Sequence, residues 1–296
     1  MAGGQERILR RRIKSVQATR KITKAMELIA ASQISRSQHR ITANRPFRAG
    51  MSRIILEAAQ GDPAAASKLL GVPEKVEQAT VLAIVGDRGL SGAYNSSVLR
   101  ATERLVAELT ANGTQVRLFC VGKKAPAYFR FRGLSVEASF QGFSDRPEFS
   151  NARDVANAVA AGFIAGESQQ VLLVSTAYRS AASQSVVSRQ LLPLTLPDAP
   201  VETAKVVKGY TEFEPEVERL MAELAPKALE SEIFTALLEG AAAFHTSQQR
   251  AMAAATDNAD ELGRTLTRIM NRARQDSITT EIMEIVGGAE ALRSGK

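Results

Sequence analysis

The stretch with the most chemical promise is Gly86-Asp87-Arg88-Gly89-Leu90-Ser91-Gly92. It follows the apolar run Thr80–Val85 and precedes a helical stretch, the place where phosphate-binding loops sit. Its spacing, G-x-x-G-x-x-G, matches neither the dinucleotide fingerprint nor the P-loop, and no lysine follows to meet a phosphate. The pattern therefore predicts a tight strand-to-helix turn that presents Arg88 to a partner, with no nucleotide site. Other chemistry is thinner. His39 and His245 are the only histidines and Cys120 the only cysteine, so a Cys/His zinc site has no material and no internal disulfide can form. Counting alone leaves a Ser-His-Asp triad open, yet no serine sits in a G-x-S-x-G elbow. The scattered carboxylates Asp257, Asp260, Glu261, Glu281 and Glu284 of the C-terminal helix read as solvated-face charges.

The elements around that loop organise the chain. From Lys227 to Lys296 there is no proline and little glycine, which permits one helix of roughly 100 Å. An apolar stripe runs along it through Met252, Ala255, Ala259, Leu262, Leu266, Ile269 and Ala273, at alternating steps of three and four. That is the seam of a coiled coil. The phase then slips at Gln275-Asp276-Ser277 and resumes at Ile278, Ile282, Ile285, Ala289 and Leu292, as if the helix changes partner. At the other end, Gln5 to about Ser37 reads as a basic helix with apolar pieces Ile13 and Val16, then Ile22, Met26 and Ile29. Pro46 is expected to kink or restart it, and Gly61-Asp62-Pro63 to end it. Pro226 is expected to break or kink the C-terminal helix, which Pro215-Glu216 opens.

Between the helices the rhythm changes. Thr80–Val85, Val116–Val121 and Val171–Val174 read as buried strands, with helices at Ser96–Thr110 and Asn151–Gly166; Leu191–Leu196 and Thr203–Tyr210 are candidate further strands. Alternation at this spacing predicts a small α/β (Rossmann-like) layer with a mostly parallel sheet. The fold class is thus α/β: an antiparallel two-helix coiled coil of the terminal helices plus a central α/β domain. The expected boundaries are 1–57 for the N-terminal helix, 58–76 for a linker, 77–212 for the α/β domain and 213–296 for the C-terminal helix.

Charge narrows the function. Residues 1–56 carry 13 Lys/Arg and 2 Asp/Glu, against a whole-chain net of +7, so the N-terminal helix calls for a polyanion or an acidic protein surface. Nucleic-acid binding by this helix is the alternative reading, and the absence of aromatic residues from 1–46 weighs against it. The start lacks an apolar signal region, and no run of about 20 apolar residues is present to cross a bilayer.

Three stretches resemble one family, the gamma subunits of F-type ATP synthases: Ile13-Lys14-Ser15-Val16-Gln17-Ala18-Thr19 with Lys21-Ile22-Thr23-Lys24-Ala25-Met26; Asp87-Arg88-Gly89-Leu90-Ser91-Gly92; and Ala254–Asn258 with Ile278–Ala289. The resemblance implies a non-catalytic rotor shaft that couples ion flow to ATP synthesis. It implies alpha and beta subunits of a hexameric head, an epsilon subunit and a c-subunit ring as partners, with no cofactor, no nucleic acid and no nucleotide bound by the chain itself. It places the chain peripherally on the cytoplasmic face of a bacterial membrane. By residue, it carries Lys24 and Met26 to the lever contact and Gln275, Thr279 and Glu281 to a head contact. Arg88, Ile282 and Ile285 join them as partner-facing residues. Gln248 stands where many members have arginine, with Arg250 nearby, and the paired cysteines of plant chloroplast members are absent. From the resemblance, Val16 is expected opposite Ala259, Lys14 near Asp260, Ile8 opposite Leu266, and the residues from Ile278 onward without an intrachain partner.

Overall fold

The computed structural model describes residues 2–61, 75–194, 214 and 216–294. Contacts divide the chain into two compact units, Met1–Ala30 with Gln249–Lys296, and Ala31–Gln248. Helices α1 (Ala2–Gly61) and α5 (Val217–Ser294) contribute to both.

The larger unit holds β1 (Gln78–Ile84), α2 (Tyr94–Ala111), β2 (Gln115–Val121), α3 (Lys124–Phe131), β3 (Ala138–Phe140), α4 (Phe149–Ile164), β4 (Gln170–Tyr178) and β5 (Gln184–Leu192). The sheet order is β3-β2-β1-β4-β5. Every pairing is parallel except β4 with β5. Alternation along β1 explains the layers. Val81, Ala83 and Val85 point into one core with Val98 and Leu99 of α2 and Ala125 and Phe129 of α3. Leu82 and Ile84 point into the other, with Val155 and Val159 of α4, Ile55 of α1 and Leu229, Ile233 and Leu237 of α5. Both faces are covered, so β1 is a continuous apolar run.

Sequence expectation and structure part at several elements. α3, β3 and most of β5 are missing from the sequence reading. β5 reads Gln-Ser-Val-Val-Ser-Arg-Gln-Leu-Leu, and as an edge strand it keeps polar residues that conceal its type. The expected strand Thr203–Tyr210 lies outside the described residues. Neither proline breaks its helix: Pro46 lies inside α1 and Pro226 inside α5. An interior proline costs about 3 kcal/mol, and tertiary contacts offset it around Pro46. Asn44 Nδ2 donates to Thr235 Oγ1 at 2.9 Å, and Arg48 forks onto Glu232 from Nε and Nη2 at 2.6 and 3.1 Å. These bonds hold the turns on either side of the proline onto α5.

In the smaller unit α1 and α5 run antiparallel. Thr23 Oγ1 and Thr256 Oγ1 share a hydrogen bond of 2.8 Å, Arg20 pairs with Asp260, and a Cβ on Gly263 would stand 3.9 Å from Val16 Cγ1. This corrects the expected register by about one helical turn: Val16 meets Gly263 in place of Ala259, and Arg20 takes Asp260 in place of Lys14. Ile8 is exposed and its neighbour Leu9 is buried. The seam is also rotated. On α1 it runs Leu9, Val16, Thr23, Ala30 at seven-residue steps, leaving Ile22 and Ile29 each 60% exposed. On α5 it runs Met252, Thr256, Ala259, Gly263, Leu266, Met270, Ala273, leaving Leu262 and Ile269 half open. A threonine pair and small residues line the contact, and the larger apolar side chains Ile22, Ile29, Leu262 and Ile269 are turned outward.

Candidate functional site

In a doubly wound sheet the ligand crevice opens where strand order reverses, beyond the carboxyl ends of the two diverging strands. Here those strands are β1 and β4. The crevice is filled by the chain itself. Ala242, Ala243 and Phe244 of α5 pack there with Tyr94 at the start of α2, Tyr178 at the end of β4 and Ile41 of α1. Tyr94 and Phe244 meet edge to face, with ring centroids 5.6 Å apart. The first glycine of the loop serves this packing. A Cβ on Gly86 would stand 3.1 Å from Phe244 Cδ2 and 3.2 Å from Asn95 Oδ1, a tight fit that would push on both side chains.

The loop's amides and its carboxylate are likewise committed inside the chain. Asn95 Oδ1 accepts from Gly86 N at 2.8 Å, and Asn95 Nδ2 donates to Arg88 O at 2.9 Å. Asp87 N donates to Ser144 Oγ at 2.8 Å. The Asp87 carboxylate accepts from Lys123 N, Gly142 N, Ser144 N and Ser144 Oγ at 2.9–3.1 Å. It ties together the loops that follow β1, β2 and β3. Burial pushes the Asp87 pKa up, but the donors from Gly142, Ser144 and Lys123 outweigh it and hold the carboxyl below the usual aspartate value. The expected tight turn is thus held in place by Asn95 within it and by the Asp87 carboxylate, which binds the loops after β2 and β3.

Beyond this clamp the loop turns outward. Leu90 adopts φ 62° and stands 64% exposed. A left-handed leucine is strained and persists only where its surroundings fix it. Arg88 pairs with Asp145, Nε to Oδ2 at 3.2 Å, with 76% of its side chain still open. The Asp145 carbonyl meets His245 Nε2 of α5 at 3.3 Å. Burial lowers the His245 pKa below its usual value, against the opposing pull of Asp145 and of Gln248. Arg88 and Gln248 of the expected set are therefore brought together through Asp145 and His245, two residues that sequence reading did not connect.

The remaining expected residues lie in the smaller unit. Lys24 Nζ donates to both Glu27 carboxylate oxygens, at 3.0 and 3.1 Å, and is exposed. Met26 is half-buried. Thr279 Oγ1 donates back to Gln275 O at 3.0 Å, and Glu281 Oε1 accepts from Ser277 Oγ at 3.5 Å. Every side chain from Ile278 to Glu290 is exposed, Ile282 by 54% and Ile285 by 72%. The residues from Ile278 onward form a row of open apolar and polar groups along one helix. A groove of about 860 Å³ lies before them, between α1 and α5, lined by Arg20, Gly263, Arg264, Arg268, Arg272 and Gln275 among others. Sequence reading passed over its arginines, although their four-residue spacing was visible.

Among the described residues there is no cluster of three or more metal-ligating side chains, and no helix is long and apolar enough to cross a membrane. Burial raises the Cys120 thiol to about 12, so it is inert near neutral pH.

The fold and these surfaces define a class: an α/β domain with long terminal helices that pair antiparallel and leave their outer faces open. A family model described as ATP synthase matches residues 5–292. The ATP synthase gamma chain of Parafrankia sp. is 44% identical over 296 residues, with 99% of each chain covered. That of Frankia casuarinae is 44% identical over 300 residues, again with 99% of each covered. The chain belongs to the ATP synthase gamma family. Its fold resembles a chain of the Euglena gracilis mitochondrial ATP synthase (OSCP/F1/c-ring) with a TM-score of 0.67, at 17% identity, over 99% of this chain and 96% of that one. A chain of the Tetrahymena thermophila mitochondrial ATP synthase central stalk and c-ring gives 0.62 at 24% identity, over 79% and 99%. The nucleic-acid alternative finds no support in these matches.

Proposed function

We infer that the chain is the central-stalk rotor subunit of an F-type ATP synthase, coupling ion flow through a membrane ring to ATP synthesis or hydrolysis in an alpha/beta head by rotation. The family match over residues 5–292 carries this reading. The filled crevice supports a chain without catalysis or nucleotide binding of its own, since Phe244 packs against the Gly86 turn and the Asp87 carboxylate is already saturated by donors of the chain. Partners are the alpha and beta subunits, the epsilon subunit and the c ring, and the place is the cytoplasmic face of a bacterial membrane. The contact residues are Lys24, Met26, Arg88, Gln248, Gln275, Thr279, Glu281, Ile282 and Ile285. Of these, Ile282 and Ile285 are apolar groups that the chain itself leaves uncovered, which calls for an apolar seat in the head.

An affinity tag on this chain in its host tests the reading. Alpha, beta, epsilon and c subunits are expected to co-purify from solubilised membranes in a complex that hydrolyses ATP, while titration calorimetry of the purified chain shows no saturable ATP binding. Recovery of the chain alone, or micromolar binding of ATP to it, overturns the assignment.

A further inference from the structure

On α5 of the larger unit, Glu232 is held from two sides. Arg48 of α1 forks onto its carboxylate, from Nε at 2.6 Å and from Nη2 at 3.1 Å. Arg189 of β5 brings Nη1 to Glu232 Oε2 at 3.4 Å, and its Nη2 donates to the Glu232 carbonyl at 3.4 Å. One residue thus joins both long helices and the edge strand of the sheet. A second tie lies one turn along, where Asn44 Nδ2 donates to Thr235 Oγ1 at 2.9 Å. The rest of this junction is apolar: Ile55 of α1, Leu229 and Ile233 of α5, and Leu191 and Leu192 of β5 share one buried cluster. Pro46 lies in α1 between Asn44 and Arg48, and it removes a backbone hydrogen bond from the helix just where these ties form.

We propose that Glu232 is a torsional key, locking α1 and α5 against rolling on the sheet so that torque passes between the α/β domain and the two helices. The proposal rests on the rotor reading, which supplies the torque. Apolar attraction holds the helices down but carries no direction. A guanidinium fork on a carboxylate fixes both distance and angle. Arg48 and Arg189 grip Glu232 from different elements, so a roll of either helix must stretch at least one of these bonds. Both arginines and Glu232 stand partly open to solvent, where ion pairs add little to folding. What the key supplies is geometry more than stability. Its place beside Pro46 fits this role, because α1 has one internal bond fewer there to keep its own alignment.

The assembled complex provides the test. With the head fixed to glass, a bead on Phe131→Cys, an exposed position, reports the angle of the α/β domain; Cys120 is buried and does not take the label. The angular spread is measured in the pauses of ATP-driven rotation. Glu232→Gln removes the charge from the key, and Arg48→Lys keeps the charge but loses the fork. Both complexes are expected to assemble, both chains to melt close to the native temperature, and the variance of the bead angle to widen at least about twofold. Ile55→Val supplies the control. It loosens the apolar cluster and leaves the key intact, so its variance should stay native even where its melting temperature falls further. Native variance in both key variants overturns the proposal. So does an equal widening in Ile55→Val, which would reduce the junction to a matter of stability. Failure of both key variants to assemble also counts against it, since the key has little share in folding. A native chain that joins no head, or whose bead does not turn, takes down the rotor reading itself; a native complex that turns, with unaltered spread in the variants, removes the key alone.

Discussion

Asp87 shows how one side chain turns a loop with the placement of a ligand site into a structural clamp. Its carboxylate collects donors from the loops after β2 and β3, so its charge is satisfied inside the protein. Phe244 does the same for apolar space in the crevice. His245 lies beside both and gives the prediction at this scale. Burial holds it neutral in the folded chain, while the unfolded chain takes up a proton near the ordinary histidine value of about 6.5. The unfolded state then binds more protons below that value, so stability is full above about 6.5 and falls as the pH drops towards the folded pKa. Asp145, through its carbonyl, and Gln248 favour the proton; Arg88 opposes it. Melting between pH 7.5 and 5.5 should show a falling temperature for the native chain, and a smaller fall for His245→Gln. Equal slopes for the two would mean that this histidine is not buried neutral.

The helix pair is held by geometry that hydrophobicity alone does not reveal. Thr23 Oγ1 lies 3.0 Å from Arg20 O, Thr256 Oγ1 lies 2.8 Å from Met252 O, and the two hydroxyls also meet each other. Two protons serve three contacts, so one hydroxyl must give up or share its bond to the carbonyl of its own helix. Such a pair sets register at little cost in stability. Gly263 does the rest by admitting Val16. Gly263→Ala is expected to raise stability by about 0.5–1 kcal/mol, because its methyl meets Val16 at an ordinary contact distance and alanine favours the helix. Cysteines at Val16 and Gly263 should oxidise to a disulfide far faster than a Val16 and Ala259 pair. The opposite order would restore the register inferred from sequence.

At the scale of the whole chain, stability and partner binding fall on separate residues. The buried apolar groups of the larger unit are shared between the two faces of its sheet, while most groups expected to meet partners, Ile282 and Ile285 among them, stand in solvent, Met26 and Gln248 being half-buried. Ile282→Asp with Ile285→Asp should therefore change the melting temperature of the isolated chain by the equivalent of no more than about 0.5 kcal/mol. Recovery of the assembled complex through a tag on a neighbouring subunit should fall several-fold. A large loss of intrinsic stability would show that these residues pack within the chain. The charge distribution follows the same division: apart from Arg40 and Arg48, which bond to Pro147 O and Glu232, the basic residues of 1–56 are exposed on α1, where they add little to folding and can steer an approaching acidic surface.

The sequence by itself determined the α/β class, the parallel character of the sheet, the two long helices and their antiparallel pairing. These follow from local signals: proline scarcity, alternation of strand and helix, and seven-residue spacing. The Gly86–Gly92 turn was legible too, because both phosphate-binding spacings are broken in it. Tertiary structure decided what no local pattern encodes. It chose Thr256 and Gly263 over Ala255 and Leu262 for the seam, because the Thr23–Thr256 hydroxyl pair and the seat of Val16 on Gly263 fix which face of α5 turns inward. It carried both prolines inside helices because α5 and the sheet pack on their flanks. It filled the crevice with Phe244, more than 150 residues from the loop it touches, since a contact at that separation depends on how the whole larger unit closes.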